Sequence, residues 1–89
     1  MNLEEIRTQI DETDQALTAL LEQRMALVLK IAEFKKEHHA IVFDPAREQV
    51  VLDKVADRVK NKTYTQTIVS TYKDLMAHSR QFQNDFLKK

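Results

Sequence analysis

The sequence contains no glycine, no cysteine and no tryptophan, and its single proline is Pro45. Tight hairpins and many turns between strands depend on glycine. A glycine-free chain rich in Leu, Ala, Glu, Lys and Gln is therefore typical of an all-helical protein. The same absence excludes a glycine-rich phosphate-binding loop. Without cysteine the chain can form no disulfide and carries no thiolate nucleophile.

Neither sign of charge is in excess, because 14 Lys and Arg residues balance 14 Asp and Glu residues. This balance predicts neither a basic face for nucleic acid nor an electrostatic attraction to membranes. The segment Met1 to Glu5 lacks the apolar core of a signal peptide, and no apolar run approaches membrane-spanning length. We therefore expect a cytoplasmic protein. With 89 residues and no repeat or linker, residues 1–89 are expected to form one domain.

A heptad pattern predicts a long first helix from Leu3 to about His38, with Asn2 as its N-cap. Its seam residues are spaced by alternating steps of four and three: Ile6, Ile10, Thr13, Leu17, Leu20, Arg24, Leu27, Ile31 and Lys35. The pair His38-His39 is expected to end this helix.

Two shorter helices are predicted after it. Asp44 followed by Pro45 is a typical N-cap and first position, and Val51, Val55 and Val59 form the apolar stripe of the second helix. The segment Asn61-Lys62-Thr63 predicts a break, with Thr63 or Thr65 as the cap of a third helix. The predicted stripe of that helix is Ile68, Tyr72, Leu75, Ser79, Phe82 and Phe86.

The length of the first helix predicts the quaternary structure. At 1.5 Å per residue it spans roughly 50 Å, whereas a compact 89-residue globule has a diameter of about 30 Å. Two short helices cannot cover the whole seam, so we expect an intertwined homodimer in which a second copy packs antiparallel. The alternative is a kink near the middle of the helix, which would give a monomeric four-helix bundle.

Polar side chains interrupt the predicted apolar stripes. Each has an ordinary explanation: a seam arginine can pair with a glutamate or set register, a lysine can extend to solvent, and a serine can bond to its own helix. Together they indicate one shared polar ligand, since burying several unpaired polar groups is costly. The cations Arg24, Lys35 and Arg47 suggest an anion with more than one negative charge. Glu48 and Gln83 suggest hydroxyl or ether groups on the same ligand, and Ser79 completes the set.

Arg7 lies seventeen residues before Arg24, which is roughly 25 Å along a straight helix. It cannot reach the same small molecule from within one chain, but Arg7 of an antiparallel partner could. The alternative is an ordinary exposed arginine near the N-terminus.

Other kinds of site are not predicted. His38, His39 and His78 lack metal-ligand spacing, so no metal is expected. Ser79 directly follows His78, and adjacent residues on a helix do not face each other, so a hydrolytic triad is not expected.

The ordered motifs resemble those of the all-helical, AroQ-class chorismate mutases over essentially the full chain. They comprise residues 6–14 (IRTQIDETD), 20–25 (LLEQRM), 31–35 (IAEFK), 42–48 (VFDPARE) and 79–83 (SRQFQ). The resemblance implies an interlocked dimer of three-helix chains. One departure is Ala32, where many relatives have glycine.

By this resemblance, Arg24 binds a substrate carboxylate, and Arg7 is donated across the dimer. Lys35 contacts a carboxylate and the breaking ether oxygen, and Gln83 donates to that oxygen from the other side. Lys35, Gln83, Arg24 and Glu48 would be the catalytic residues.

The remaining implied contacts come from both short helices. Glu48 and the backbone near Asp44 resemble the partners of the substrate hydroxyl. Arg47 and Ser79 resemble further carboxylate contacts. An activating pathway enzyme, known for some short mutases, is left open.

The implied reaction is the unimolecular rearrangement of chorismate to prephenate, without metal or cofactor. Two alternatives stay open. An isochorismate-pyruvate lyase uses the same fold and a similar cationic site. A non-catalytic helical dimerisation module would use the seam charges to set register alone.

Overall fold

A computed structural model describes residues 1–88, which form three α-helices and one short 3-10 turn. The helices are α1 (Leu3–His38), α2 (Pro45–Arg58) and α3 (Thr65–Leu87), with the turn at Lys62–Tyr64. No strand occurs within residues 1–88, so the predicted all-helical class is confirmed. None of these helices carries an apolar stretch suited to crossing a lipid bilayer.

Both ends of α1 lie where the sequence predicts them. The Asn2 side chain accepts a hydrogen bond from the Glu5 backbone N–H at 2.9 Å, which satisfies one of the amides that have no partner inside the helix. At the other end His39 adopts a left-handed conformation with φ 52°, and its N–H donates to the Lys35 carbonyl. Glycine normally fills this position, and a side chain there costs about 1 kcal/mol.

α2 also begins as predicted. The Asp44 side chain accepts from the Arg47 backbone N–H at 3.0 Å, and Pro45 occupies the first turn. Val55 of the predicted stripe is buried, while Val51 and Val59 are half-buried. The stripe therefore faces the interior.

The predicted cap of α3 is wrong. Asn61 caps the preceding turn by accepting from the Thr63 N–H at 3.1 Å, and the chain then continues into α3 through Tyr64, which is already right-handed helical. Because the turn leads directly into the helix, Thr65 lies inside it. Its hydroxyl is buried and finds no hydrogen-bond partner among the described residues.

α3 is the central helix. It packs against α1 on one side and α2 on the other, whereas α1 and α2 do not pack directly on each other within residues 1–88. The small core is formed by Val28, Ala32, Val42, Leu52, Val55 and Met76. Of the stripe predicted for α3, Ser79 is buried, but Ile68 and Phe82 keep 37% and 39% of their surface exposed.

The apolar seam of α1 is largely uncovered by its own chain. All of residues 1–20 are exposed, including Ile10 at 51% and Leu20 at 62%. In the second half of α1 the chain buries Val28 and Ala32, whereas the seam residues Leu27 and Ile31 stay exposed.

The molecule is correspondingly elongated. α1 runs as one helix of 36 residues, and the longest extent of the molecule, 54 Å, is the length of a straight helix of that size, so the alternative of a kink near its middle is wrong. The extents are 54 × 25 × 15 Å and the radius of gyration is 16.1 Å. A compact chain of this length would have a radius of gyration of about 12 Å. The excess comes from the exposed first half of α1.

Candidate active site

A pocket of about 170 Å³ lies where the second half of α1, the first turn of α2 and the second half of α3 meet. Its wall contains seven of the eight residues that the sequence singles out: Arg24, Lys35, Asp44, Arg47, Glu48, Ser79 and Gln83. Apolar side chains complete it: Val28, Ile31, Val42, Val51 and Met76. The structure thus brings together residues from positions 24 to 83 around one cavity.

Arg24 and Ser79 connect α1 to α3 across one side of the pocket. Arg24 Nη1 donates to Ser79 Oγ at 2.7 Å, and the Ser79 hydroxyl donates to the Leu75 carbonyl at 2.9 Å. Ser79 therefore bonds to its own helix and also orients the arginine. Its proton is held by a backbone carbonyl rather than by a base, so the hydroxyl is not activated as a nucleophile.

Lys35 and Gln83 form a second connection between α1 and α3. Lys35 Nζ donates to the Val42 carbonyl at 2.8 Å and to Gln83 Oε1 at 3.3 Å. An ammonium has three N–H donors, and within residues 1–88 these bonds use two of them. Gln83, which is 7% exposed, accepts through its oxygen and so keeps its amide NH₂ for donation. Two N–H donors are thus available side by side at the pocket.

The first turn of α2 supplies Asp44, Arg47 and Glu48. The Asp44 carboxylate and carbonyl accept from the backbone N–H groups of Arg47 and Glu48, both at 3.0 Å. These bonds fix the turn, and the N-terminus of a helix favours negative charge nearby. The Arg47 side chain is exposed at the rim, where it can approach an anionic ligand.

Arg80 is a pocket residue to which the sequence analysis assigns no role. Its Nη1 lies 2.5 Å from Glu48 Oε1 and 2.6 Å from Oε2, joining α3 to α2. The spacing in the sequence could have indicated Arg80 as a pocket residue. It follows Met76 by four residues and precedes Gln83 by three, and both of these side chains are buried. That spacing places all three on one face of α3.

The charges that line the pocket favour a dianion. Four side chains are cationic (Arg24, Lys35, Arg47 and Arg80) and two are carboxylates (Asp44 and Glu48), which leaves a net charge of +2. No group of His, Asp and Glu side chains among residues 1–88 is arranged to hold a metal ion. The pocket can therefore bind and orient an anion and donate hydrogen bonds to it.

Arg7 is the predicted site residue that the structure does not bring to the pocket. It is exposed in the first half of α1. The rise of a helix places it roughly 25 Å from Arg24 along the same axis. Within one chain the two arginines cannot contact the same small molecule.

Comparison with known proteins shows the family of the chain. A sequence model described as chorismate mutase type II matches residues 6–84. A chorismate mutase of Methanocaldococcus jannaschii is 29% identical over 87 residues, which cover 97% of this chain and 88% of that protein. The range matched by the sequence model spans the seven pocket positions and Arg7. The chain therefore belongs to the chorismate mutase type II family, as its ordered motifs predict.

Proposed function

We propose that this protein is an isomerase that converts chorismate to prephenate in the pocket between its three helices. One observation carries the assignment of the reaction to this pocket: Lys35 Nζ donates to Gln83 Oε1 at 3.3 Å beside a cationic cavity, which holds the two side chains next to each other. The reaction is an intramolecular rearrangement in which an ether bond breaks as a carbon–carbon bond forms. It needs donors at the ether oxygen and no nucleophile.

The substrate carries two carboxylates, which fits the net charge of +2 in the pocket. Arg24, already held by Ser79 at 2.7 Å, binds one of them without a large loss of side-chain freedom. Arg47 at the rim binds the other. Fixing both carboxylates selects the compact diaxial conformer, in which the two reacting carbons approach each other.

Catalysis then depends on charge that develops at the ether oxygen. Lys35 supplies its remaining N–H and Gln83 supplies its amide N–H. Both donors are held in place before the substrate binds, so little reorganisation is needed as the bond breaks. Glu48 accepts from the ring hydroxyl, together with the backbone near Asp44.

The active protein is proposed to be an antiparallel homodimer in the cytoplasm. The exposed seam over residues 1–20, with Ile10 and Leu20 more than half exposed, supports a second copy as its cover. In an antiparallel pair the first half of one α1 lies beside the second half of the other. Arg7 of the second copy then approaches the pocket that contains Arg24 and adds a further cation.

Identifying the product formed from chorismate tests the proposal. Purified protein should convert chorismate to prephenate, and Lys35→Ala should not. Lys30→Ala is the matched control, because Lys30 is an exposed lysine on the same helix outside the pocket. Salicylate and pyruvate formed from isochorismate, in place of prephenate, would assign the lyase reaction. Failure to bind or convert either compound would indicate a dimerisation module.

A further inference from the structure

The Glu48–Arg80 pair separates two cavities of the molecule. Both residues line the pocket described above, and both also line a neighbouring groove between α2 and α3, together with Phe43 and Lys73. One nitrogen of Arg80 contacts both carboxylate oxygens of Glu48, at 2.5 and 2.6 Å. The Arg80 guanidinium also lies 4.7 Å from the centre of the Phe43 ring, a cation–π distance. Arg80 is thus held between an aromatic ring and a carboxylate.

Glu48 needs such a partner if it faces a dianion. A carboxylate accepts hydrogen bonds well, but its charge repels two substrate carboxylates in the same small cavity. The side chains of Arg80 and Glu48 are 31% and 23% exposed, so water screens their charges only in part. Two carboxylate oxygens offer about four acceptor positions. An arginine that occupies one position on each oxygen therefore leaves room for a substrate hydroxyl.

We infer that Arg80 is a positioning residue for the reaction: it fixes the orientation of the Glu48 carboxylate and neutralises it, so that Glu48 accepts from the hydroxyl without repelling the substrate. This inference rests on the proposed function. Arg80 acts through Glu48 rather than on the reacting atoms. Its removal should therefore matter only while Glu48 is a carboxylate.

The test compares Arg80→Met with Lys73→Met. Both variants remove one positive charge from α3, and Lys73 lies two turns before Arg80 beside the same groove, without a hydrogen bond to Glu48. A misplaced substrate costs on the order of tenfold to a hundredfold in rate, and Arg80→Met should lower kcat/KM by that factor. Lys73→Met should stay within about twofold, as expected for an exposed charge. Arg80→Lys, which keeps the charge, should recover part of the loss.

A double-mutant cycle with Glu48→Gln separates positioning from direct binding or folding. If Arg80 acts through Glu48, Arg80→Met in the Glu48→Gln background should cause little further loss of kcat/KM. Circular dichroism and thermal melting confirm that each variant is folded. If Arg80→Met does not fold, Arg80→Gln replaces it in the same cycle, since it removes the charge and keeps a polar side chain.

The outcomes for the inference and for the proposed function differ. If the unmodified protein does not convert chorismate, the proposed function fails and the inference fails with it. If it does, and Arg80→Met behaves like Lys73→Met, the inference alone is overturned. Losses that multiply in the double variant would also overturn it, because they would assign Arg80 an action independent of Glu48.

Discussion

Mixing two inactive variants tests whether Arg7 completes the pocket of a second chain. One variant is Arg7→Ala and the other is Lys35→Ala. Lys35 lines the pocket of its own chain, whereas Arg7 lies roughly 25 Å from Arg24 along α1. If Arg7 acts in the partner's pocket, every site in either homodimer lacks one cation. Both homodimers should therefore be nearly inactive.

The expected recovery follows from how sites combine in a mixed dimer. The site on the Arg7→Ala chain has its own Lys35 and receives an intact Arg7 from its partner, so it is complete. The other site carries both lesions. Random pairing makes half of the dimers mixed, and half of their sites are complete, so about a quarter of wild-type activity should return with independent sites.

The assay unfolds equal amounts of the two variants together, refolds them and measures prephenate formation. A size tag on one variant allows the mixed dimer to be quantified by native mass spectrometry. The matched control mixes Arg24→Ala with Lys35→Ala, because both residues line the pocket of the same chain. No site in that mixture is complete, so no activity should return.

The reasoning is refuted if the mixture of Arg7→Ala and Lys35→Ala, with mixed dimers demonstrated, forms prephenate no faster than the two separate homodimers. If Arg7 served its own chain, each site of a mixed dimer would lack one cation, Arg7 in one site and Lys35 in the other. No activity would then return in that mixture, so recovery to about a quarter of wild-type activity indicates shared sites. Placing both lesions on one chain reverses the expected outcomes and provides a second test. The second test mixes wild type with a double variant that carries both Arg7→Ala and Lys35→Ala. If sites are shared, each site of the mixed dimer lacks one cation. If sites are not shared, the site on the wild-type chain is intact.

Three further outcomes are expected. Lys35→Ala should lower kcat about a hundredfold or more, since its N–H faces charge that develops in the transition state; a change in KM alone would assign Lys35 to carboxylate binding. His39→Gly should raise the free energy of unfolding by about 1 kcal/mol, because glycine adopts the left-handed conformation without strain. The control His38→Gly, inside α1, should lower it by a similar amount. Equal effects of the two substitutions in urea titrations would contradict this. The urea midpoint should rise with protein concentration, and a folded monomer at micromolar concentration would exclude the obligate dimer.

The bounds of α1 and α2 were predictable because local signals agree with the apolar pattern. Asn2 and Asp44 cap their helices as expected, and no proline or glycine interrupts the heptad spacing, which continues to Lys35. The start of α3 was not predictable in this way. Thr63 and Thr65 are both good cap residues by type, but the 3-10 turn capped by Asn61 decides which backbone amides need a partner.

The site was predicted more fully than the packing around it. Polar residues on apolar stripes identified six side chains that line one pocket, since such residues are rarely buried without a reason, and the family resemblance added Asp44. Periodicity could not tell which face of α1 its own chain covers, because adjacent faces are both apolar: Val28 is buried and Leu27 is exposed. Arg80 was missed because it lies outside the stripe predicted for α3, and its contact with Glu48 is visible only in the structure.

The exposed first half of α1 has a consequence for synthesis of the chain on the ribosome. Residues 1–20 emerge before residues 21–88, yet residues 21–88 bury none of them. Without tertiary contacts this segment lacks the packing that supplies most of the stability of helices in proteins. Until the proposed second copy covers this segment, its backbone amides remain open to hydrogen exchange and to proteases. Cellular abundance of the enzyme would then depend on how quickly newly made chains meet. A larger fraction of them would be degraded at a low rate of synthesis than at a high one.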